Sequence, residues 1–391
     1  MALSYAPADH DDDRSALGKI LGVSFGFDPE ASKGWFEKAG FDNVRVLRDE
    51  SGIIGGLLLI PMGQFFGGRS VPMVGFAGVG VTPSARGTGA ATQLMHHAIR
   101  ELAAQRVPLS CLYPATLPLY RRAGYEIAGS LHVVTLQGRD LARSERSLAI
   151  RAFEPADEAA VQNTYRSYAA LRDGWLDRGP YVWERTRRVE NGAMTHGHVF
   201  CDESGIEGYV FYRHRRTDHG FDLQISDMAA ATPRALSTLF AFIADHRSLA
   251  ETVSWRGGVD EPLLMLFREH RYQMRFFHHW MLRIVDVEAA LTRRGYAPSI
   301  DGEITLVIDD DLVPDNAGAF VLRVAGGAAE VVRGESGSAL KLDIRALASL
   351  YSGQHNARTL ARLGRVEASD ETLARAAAMF AGSPPSMADM F

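Results

Sequence analysis

The stretch Val79-Gly80-Val81-Thr82-Pro83-Ser84-Ala85-Arg86-Gly87-Thr88-Gly89-Ala90-Ala91-Thr92 has residue types that could hold a charged ligand. An apolar strand-like run ends near Val81. A loop of small residues follows, and a helix starts by about Ala91. Small residues let a backbone approach its ligand closely. The free N–H groups at a helix start, helped by the helix dipole, attract anions. A pyrophosphate is the natural guest. The glycine spacing is not that of a dinucleotide-binding turn, and no Gly-Lys-Ser/Thr follows to make a Walker loop.

The elements that must position this loop can be read from periodicity. Leu17, Ile20, Leu21 and Phe25 recur at helical spacing, which predicts a helix over Asp11 to Phe25. Val44 to Arg48, a Ser51-Gly52 turn and Ile53 to Met62 predict a hairpin. A glycine-rich strand over Val71 to Val81 leads into the loop. Leu94, Met95, Ala98, Ile99 and Leu102 share one face of the helix that follows. A strand at Leu109 to Tyr113, a short helix and a strand at Tyr125 to Leu136 complete a mixed α/β segment. The same order recurs from Leu148 to His246, which suggests an internal duplication. From Val285 a third segment predicts a helix at Val287 to Arg294, four short strands and closing helices.

Composition excludes several function classes. The 391 residues suggest two or three domains. A formal net charge of −5 argues against a nucleic-acid partner. Two cysteines, Cys111 and Cys201, are too few for a disulfide framework or a four-cysteine zinc site. Cys111 reads as a buried thiol. His96 and His97 are adjacent on a helix and point apart, so they make no natural chelate. Asp11-Asp12-Asp13 reads as a solvated helix start and Asp309-Asp310-Asp311 as a solvated turn, so no metal is expected. The acidic N-terminus lacks a signal pattern. The longest apolar run is interrupted by Gly55 and Gly56 and is too short to span a membrane. A cytoplasmic protein with no membrane partner is expected.

Arg86-x-x-Gly89-x-Ala91 resembles the Arg/Gln-x-x-Gly-x-Gly/Ala signature of the GCN5-related N-acetyltransferases (GNATs), and Leu119-Tyr120-Arg121-Arg122-Ala123-Gly124-Tyr125 resembles the end of their active-site region. The resemblance implies acetyl-CoA as co-substrate. Val79, Gly80 and Val81 would pair with the pantetheine amides along a splayed strand. Arg86, Gly87, Thr88, Gly89, Ala90, Ala91 and Thr92 would hold the pyrophosphate, with Tyr120 and Arg121 flanking the cofactor. Amine attack on a thioester expels a thiolate that needs a proton, and Tyr125 stands where GNATs place the general acid.

Further stretches extend the resemblance over the whole chain: Gln64 to Pro72, Gly174-Trp175-Leu176 with Trp183, Arg283 to Val287, Pro384-Pro385 and Asp389-Met390-Phe391. Together they resemble the Eis (enhanced intracellular survival) family of bacterial acetyltransferases. That implies an α/β (α+β) architecture of tandem GNAT folds plus a sterol-carrier-protein-like domain. The boundaries here would be 1–140 for the catalytic domain, 141–284 for a degenerate GNAT-like domain and 285–391 for the third. The second domain has Thr232-Pro233-Arg234-Ala235-Leu236 where a phosphate loop would fall, so it is expected to bind no CoA. The family's general base is the C-terminal carboxylate, which belongs here to Phe391. Its acceptors are amines of cationic small molecules, aminoglycoside- or polyamine-like. Phe25, Phe27, Asp28, Trp35 and Asp389 are candidate acceptor contacts. Family members often carry an acidic residue before the final Phe, where this chain has Met390. The family also implies a homo-hexamer. Two other readings stay open: an acyltransferase for longer acyl chains with protein lysines as acceptor, and a non-catalytic CoA- or lipid-binding regulator.

Overall fold

Behind a short strand, β1 (Ser4–Pro7), three aspartates begin the first helix, α1 (Asp11–Phe25), where the dipole favours them; Gly26 at φ 74° ends it. A second helix, α2 (Ala31–Ala39), was not legible from periodicity. The predicted hairpin is β2 (Val44–Asp49) and β3 (Gly52–Phe66), and β4 (Arg69–Val81) follows. Next come α3 (Ala90–Ala104), β5 (Leu109–Leu112), α4 (Leu117–Arg122) and β6 (Glu126–Gln137). The computed structural model of the chain describes residues 3–141, 145–187 and 193–391. By internal packing it divides into two units. Unit 1 is Met1–Gly129 with His279–Ser383 and Phe391; unit 2 is Ser130–His278 with Pro384–Met390.

The chain continues through β7 (Ala149–Ala152), α5 (Glu158–Ala169), β8 (Leu176–Asp177), α6 (Pro180–Arg187), β9 (His196–Asp202), β10 (Gly205–Arg216) and β11 (Phe221–Ala230). Then come α7 (Pro233–Asp245), β12 (Ala250–Gly257), β13 (Tyr272–Ile284) and α8 (Val287–Arg293). The last segment holds β14 (Gly302–Asp309), β15 (Gly318–Ala325), β16 (Ala328–Arg333) and β17 (Ala339–Asp343). It ends with α9 (Ile344–Ser352), α10 (Ala357–Arg362), β18 (Val366–Glu367) and α11 (Asp370–Met379).

In unit 1 the main sheet runs β1-β2-β3-β4-β5-β13, with the β13 residues Met281 to Ile284 antiparallel to β5. The β4–β5 pair is parallel, because α3 crosses between them. The predicted face of α3 is buried: Leu94, Met95, Ala98, Ile99 and Leu102 pack with Leu57, Leu59, Val74 and Phe76 of the sheet. Each of the larger aliphatic side chains contributes about 1.5–3 kcal/mol on burial. A second sheet of unit 1, β16-β15-β14-β17-β18, lies in the C-terminal segment. In unit 2 the order is β6-β12-β11-β10-β9-β7. Its parallel pair, β11 and β12, is again joined by a helix, α7, the echo anticipated from the element order.

One reading of the aspartate runs is corrected. Asp309 and Asp311 are exposed, but Asp310 is buried against Arg283 at 2.6 Å, where it also accepts from the Leu312 and Val313 amides and from Asn316. It is an interior ion pair rather than a solvated turn. Among the described residues no helix is long and apolar enough to cross a membrane.

Candidate active site

β4 leaves β5 after three residue pairs. Met73, Val74 and Gly75 match Leu109, Ser110 and Cys111, and β4 then runs on to Val81 with only β3 beside it among the described strands. The edge of β4 turned toward β5 is therefore open beyond Gly75, and such an edge can pair with an extended, amide-bearing ligand. A bulge sits at the same place: Gly78 and Val79 oppose a single β3 residue, between the pairs Gly56–Gly80 and Leu58–Ala77. Bulges bend a strand and increase its twist. Gly78 adopts φ 59°, and a Cβ there would lie 2.8 Å from the Trp35 ring.

Past Val81 the loop turns into α3. Gly87 and Gly89 have φ of 78° and 90°, conformations that favour glycine, and a Cβ at either would meet nothing within 4 Å. The glycines thus answer to backbone conformation, with open space above them. Thr88 Oγ1 donates to the Ala85 carbonyl at 2.8 Å, which braces the loop. Gly89 is the cap of α3 and has no side chain to offer, so the Ala90, Ala91 and Thr92 amides have no hydrogen-bond partner among the described residues. Arg86 is exposed at the loop's rim. These features fit a pyrophosphate: free donors, a helix dipole, and no side chain in the way.

Tyr125 lies at the point where the strands part. Ser110, the partner of Val74 in the ladder, donates its hydroxyl to the Val74 carbonyl at 2.9 Å. A serine has one proton, so Ser110 accepts from Tyr125 Oη in the 2.7 Å contact between them. Burial pushes the Tyr125 pKa well above the ordinary tyrosine value, with the Ser110 hydroxyl opposing. Its ring packs 6.2 Å from Phe76 and 6.3 Å from Tyr120. Tyr120 is itself buried, and burial pushes its pKa up to about 12. Gly124 at φ 83° makes the turn before Tyr125, and a Cβ there would lie 2.8 Å from the Arg283 guanidinium, which Asp310 holds in place. Arg121 contacts Glu126 through Nε and Nη2 at 3.0 and 2.7 Å. Burial opposes the ionisation of Glu126, yet Arg121 and Arg345 hold its carboxyl below the usual range.

The chain terminus is seated rather than loose. In unit 1 the Phe391 ring fills the space beside Gly75, where a Cβ would collide with it, and lies 6.0 Å from the Tyr113 ring. By strand alternation Gly75 faces away from Val74 and Phe76. Tyr125 and Phe391 therefore abut the last rungs of the β4–β5 ladder from opposite faces. In unit 2 the preceding residues are anchored one by one. The Pro385 carbonyl accepts from the Ser130 amide, Ser386 accepts from Trp175 Nε1 at 3.0 Å, and Met387 is fully buried. The Asp389 oxygens take Arg178 Nε and Nη2, each at 2.8 Å, and Tyr165 Oη donates to the same carboxylate. Arg178 is buried and also makes a two-pronged bond to Asp227, 2.7 Å on each side.

The remaining candidates are scattered. Phe27 and Trp35 stand edge to face at 6.0 Å, with Trp35 against Gly78 of the bulge. Phe25 is exposed at the end of α1. Asp28 is exposed and accepts from the Glu30 amide. Asp389 is charge-compensated by Arg178. In unit 2 the start of α7 differs from that of α3: Thr232 caps it by accepting from the Ala235 amide, and Glu207 bonds both Thr232 and Arg234. Cys111 is fully buried, and burial raises its pKa far above the usual thiol range. Ser110, Arg178 and Asp227 escaped the sequence reading. Ser110 left one signal, a hydroxyl inside the apolar run Leu109 to Leu112.

Residues 8–128 match the acetyltransferase (GNAT) domain, residues 174–284 match a second acetyltransferase (GNAT) domain, and residues 287–388 match the sterol carrier protein domain. The N-acetyltransferase Eis of Mycobacterium tuberculosis is 27% identical over 375 residues, 91% of each chain. A GCN5-related N-acetyltransferase from Anabaena variabilis superposes with a TM-score of 0.95 at 36% identity, covering 100% of both chains. One from Kribbella flavida gives 0.88 at 28%, covering 100% of this chain and 98% of that one.

Proposed function

The chain belongs to the Eis-type family of GCN5-related N-acetyltransferases, with tandem GNAT folds and a sterol-carrier-like domain, and we propose that it acetylates primary amines of small cationic molecules, aminoglycoside- or polyamine-like, through Tyr125 and the Phe391 carboxylate. Family membership makes it an acetyl-CoA-dependent N-acetyltransferase. The observation that carries the finer reading is that Tyr125 and Phe391 flank the end of the β4–β5 ladder, one on each face.

In this reading the amides of Gly87 to Thr92 hold the pyrophosphate, and Val79, Gly80 and Val81 offer an open strand edge to the pantetheine. Tyr120 supplies a buried wall, and Arg121 with Glu126 braces the end of α4. The reaction runs in a ternary complex. The amine nitrogen bonds to the thioester carbonyl carbon while the Phe391 carboxylate takes its proton, directly or through water. The carbon–sulfur bond then breaks, and Tyr125 Oη gives its proton to the departing sulfur. A donor whose pKa burial has raised stays protonated until that sulfur needs it. Phe27 and Trp35 form the aromatic part of an acceptor wall, with Phe25 and Asp28 at its rim. We read one cofactor per chain, since the side-chain cap and the Glu207 carboxylate at the start of α7 oppose a second pyrophosphate. The domain division 1–140, 141–284 and 285–391 is kept, with support from the three domain matches, and a hexamer is carried from the resemblance.

Adding a Gly-Ser extension after Phe391 tests the role of the tail. Turnover should fall by about 100-fold or more, with acetyl-CoA affinity retained. Full activity would remove the terminal carboxylate from the mechanism. Free-thiol release from acetyl-CoA and longer acyl-CoAs, with a panel of small amines and lysine peptides, tests acyl and acceptor class. Preference for long acyl chains or lysine peptides would replace the small-amine reading.

A further inference from the structure

Unit 2 contains a partly open cavity of about 490 Å³, within the range of small-molecule sites. Its floor is laid by register partners on neighbouring strands. Arg213 on β10 pairs with Gln224 on β11, Gln224 pairs with Ser254 on β12, and Arg256 on β12 pairs with Val133 on β6. Arg185 on α6 adds to the lining, and Asp389 and Met390 of the C-terminal tail form part of the wall.

The charges of this lining do not balance internally. It holds three guanidinium groups and one carboxylate. That carboxylate, Asp389, has both oxygens on Arg178. Arg185 donates to Tyr181 Oη at 3.1 Å, and Arg256 lies 5.8 Å from the centre of the Phe277 ring. Neither makes an ion pair among the described residues, and the Gln224 amide and Ser254 hydroxyl make no side-chain hydrogen bond there. Like charges on one cavity repel, whereas an anion among them gains charge-assisted hydrogen bonds. Val133, Val182 and Ile225 supply apolar surface for the rest of a ligand.

We infer that this cavity binds a small organic anion, a carboxylate or phosphate monoester with an apolar body. Its acidic group meets the guanidinium groups of Arg185 and Arg256, with Gln224 and Ser254 as further donors. Because Asp389 and Met390 are part of the wall, the anion binds the tail-docked state and by linkage favours it. The inference concerns binding alone and does not rest on acetyl transfer.

Calorimetric titration of the full chain with benzoate, phenyl phosphate and neutral benzamide, at fixed ionic strength, tests it. At least one anion should saturate at one site per chain, and which one does so separates carboxylate from phosphate chemistry. R185Q and R256Q should each weaken that binding by roughly 10-fold, about one charge-assisted hydrogen bond, while both variants keep the parent circular dichroism and melting temperature. The inference is overturned if neither anion saturates, if benzamide binds as tightly, or if the R185Q/R256Q double variant binds unchanged.

Discussion

Tyr125 keeps its proton because it is buried and its hydroxyl has an acceptor in Ser110. Removing that hydroxyl leaves the Ser110–Val74 bond in place, so Tyr125→Phe should fold normally. Its kcat should fall by about 100-fold or more, with the KM for acetyl-CoA little changed; steady-state kinetics would refute the assignment if kcat stayed within about twofold of the parent. Arg178 works differently. It separates two buried carboxylates, Asp227 and Asp389, and its guanidinium also lies 3.7 Å from the centre of the Tyr165 ring. Arg178→Met would remove the buried cation that both carboxylates share, a loss of about 3–5 kcal/mol in chemical denaturation. Asp389→Asn keeps the Asp227 pair, so it should cost less stability and show itself mainly as slower acetyl transfer. Equal stability losses for the two variants would contradict this division of labour.

Among the elements, the loop into α3 is defined by backbone conformation rather than by contacts. Gly89→Ala places a Cβ in open space but at φ 90°, where an L-residue is strained by about 1–2 kcal/mol. The KM for acetyl-CoA should rise while kcat at saturation stays near the parent value; an unchanged KM would mean that the loop does not carry the pyrophosphate. In unit 2, β9, β10 and the end of α7, with the residue that caps it, bring together His196, His198, His214 and His246 around Tyr212 and Phe242. Burial holds His198 and His214 below the ordinary histidine value of 6.5, with the neighbouring histidines adding to the effect. A depressed pKa in the folded chain means that the unfolded chain takes up protons first as pH falls. Full stability should therefore hold above about pH 6.5 and decline below it, before the carboxylates titrate. Thermal melts at pH 7.5 and 5.5 check this, and a melting temperature that does not drop would count against it.

At the scale of the whole molecule, the segment that completes the first sheet arrives late in the chain. β5 has β4 on one side, and on the other Met281 to Ile284 of β13, about 170 residues further on. All four residues of β5 are buried. A chain cut after residue 137 would expose β5 as an apolar edge strand, a template for aggregation. We expect the 1–137 fragment to elute as aggregates with little fixed tertiary structure, whereas the full chain does not. A monomeric, cooperatively melting fragment in size-exclusion chromatography and circular dichroism would show that the N-terminal segment folds alone. The terminus belongs to this scale too. Pro384 to Met390 pack within unit 2 and Phe391 within unit 1.

Local pattern carried much of the fold and the first half of the site. The helix from Asp11 to Phe25, the face of α3 and the glycines around Gly89 follow from spacing and from backbone conformations that few residues adopt, both properties of neighbouring residues. β12 and β13 went unread because their strands are identified by partners far away rather than by clean alternation. Asp389 reads from sequence as a carboxylate free to meet a cation; only the tertiary structure reveals Arg178 on it, 211 residues distant. Asp310 likewise looks solvated until Arg283 appears beside it. Charges and chain ends take their roles from what surrounds them, and those surroundings are assembled by long-range packing. By itself the sequence determined that a loop of small residues opens α3 and that a Gly-Tyr pair closes α4, because both depend on adjacent residues. Tertiary structure decided that Ser110 bonds Tyr125 and that Phe391 packs on Gly75 of β4, because only folding brings distant segments within hydrogen-bonding and packing range.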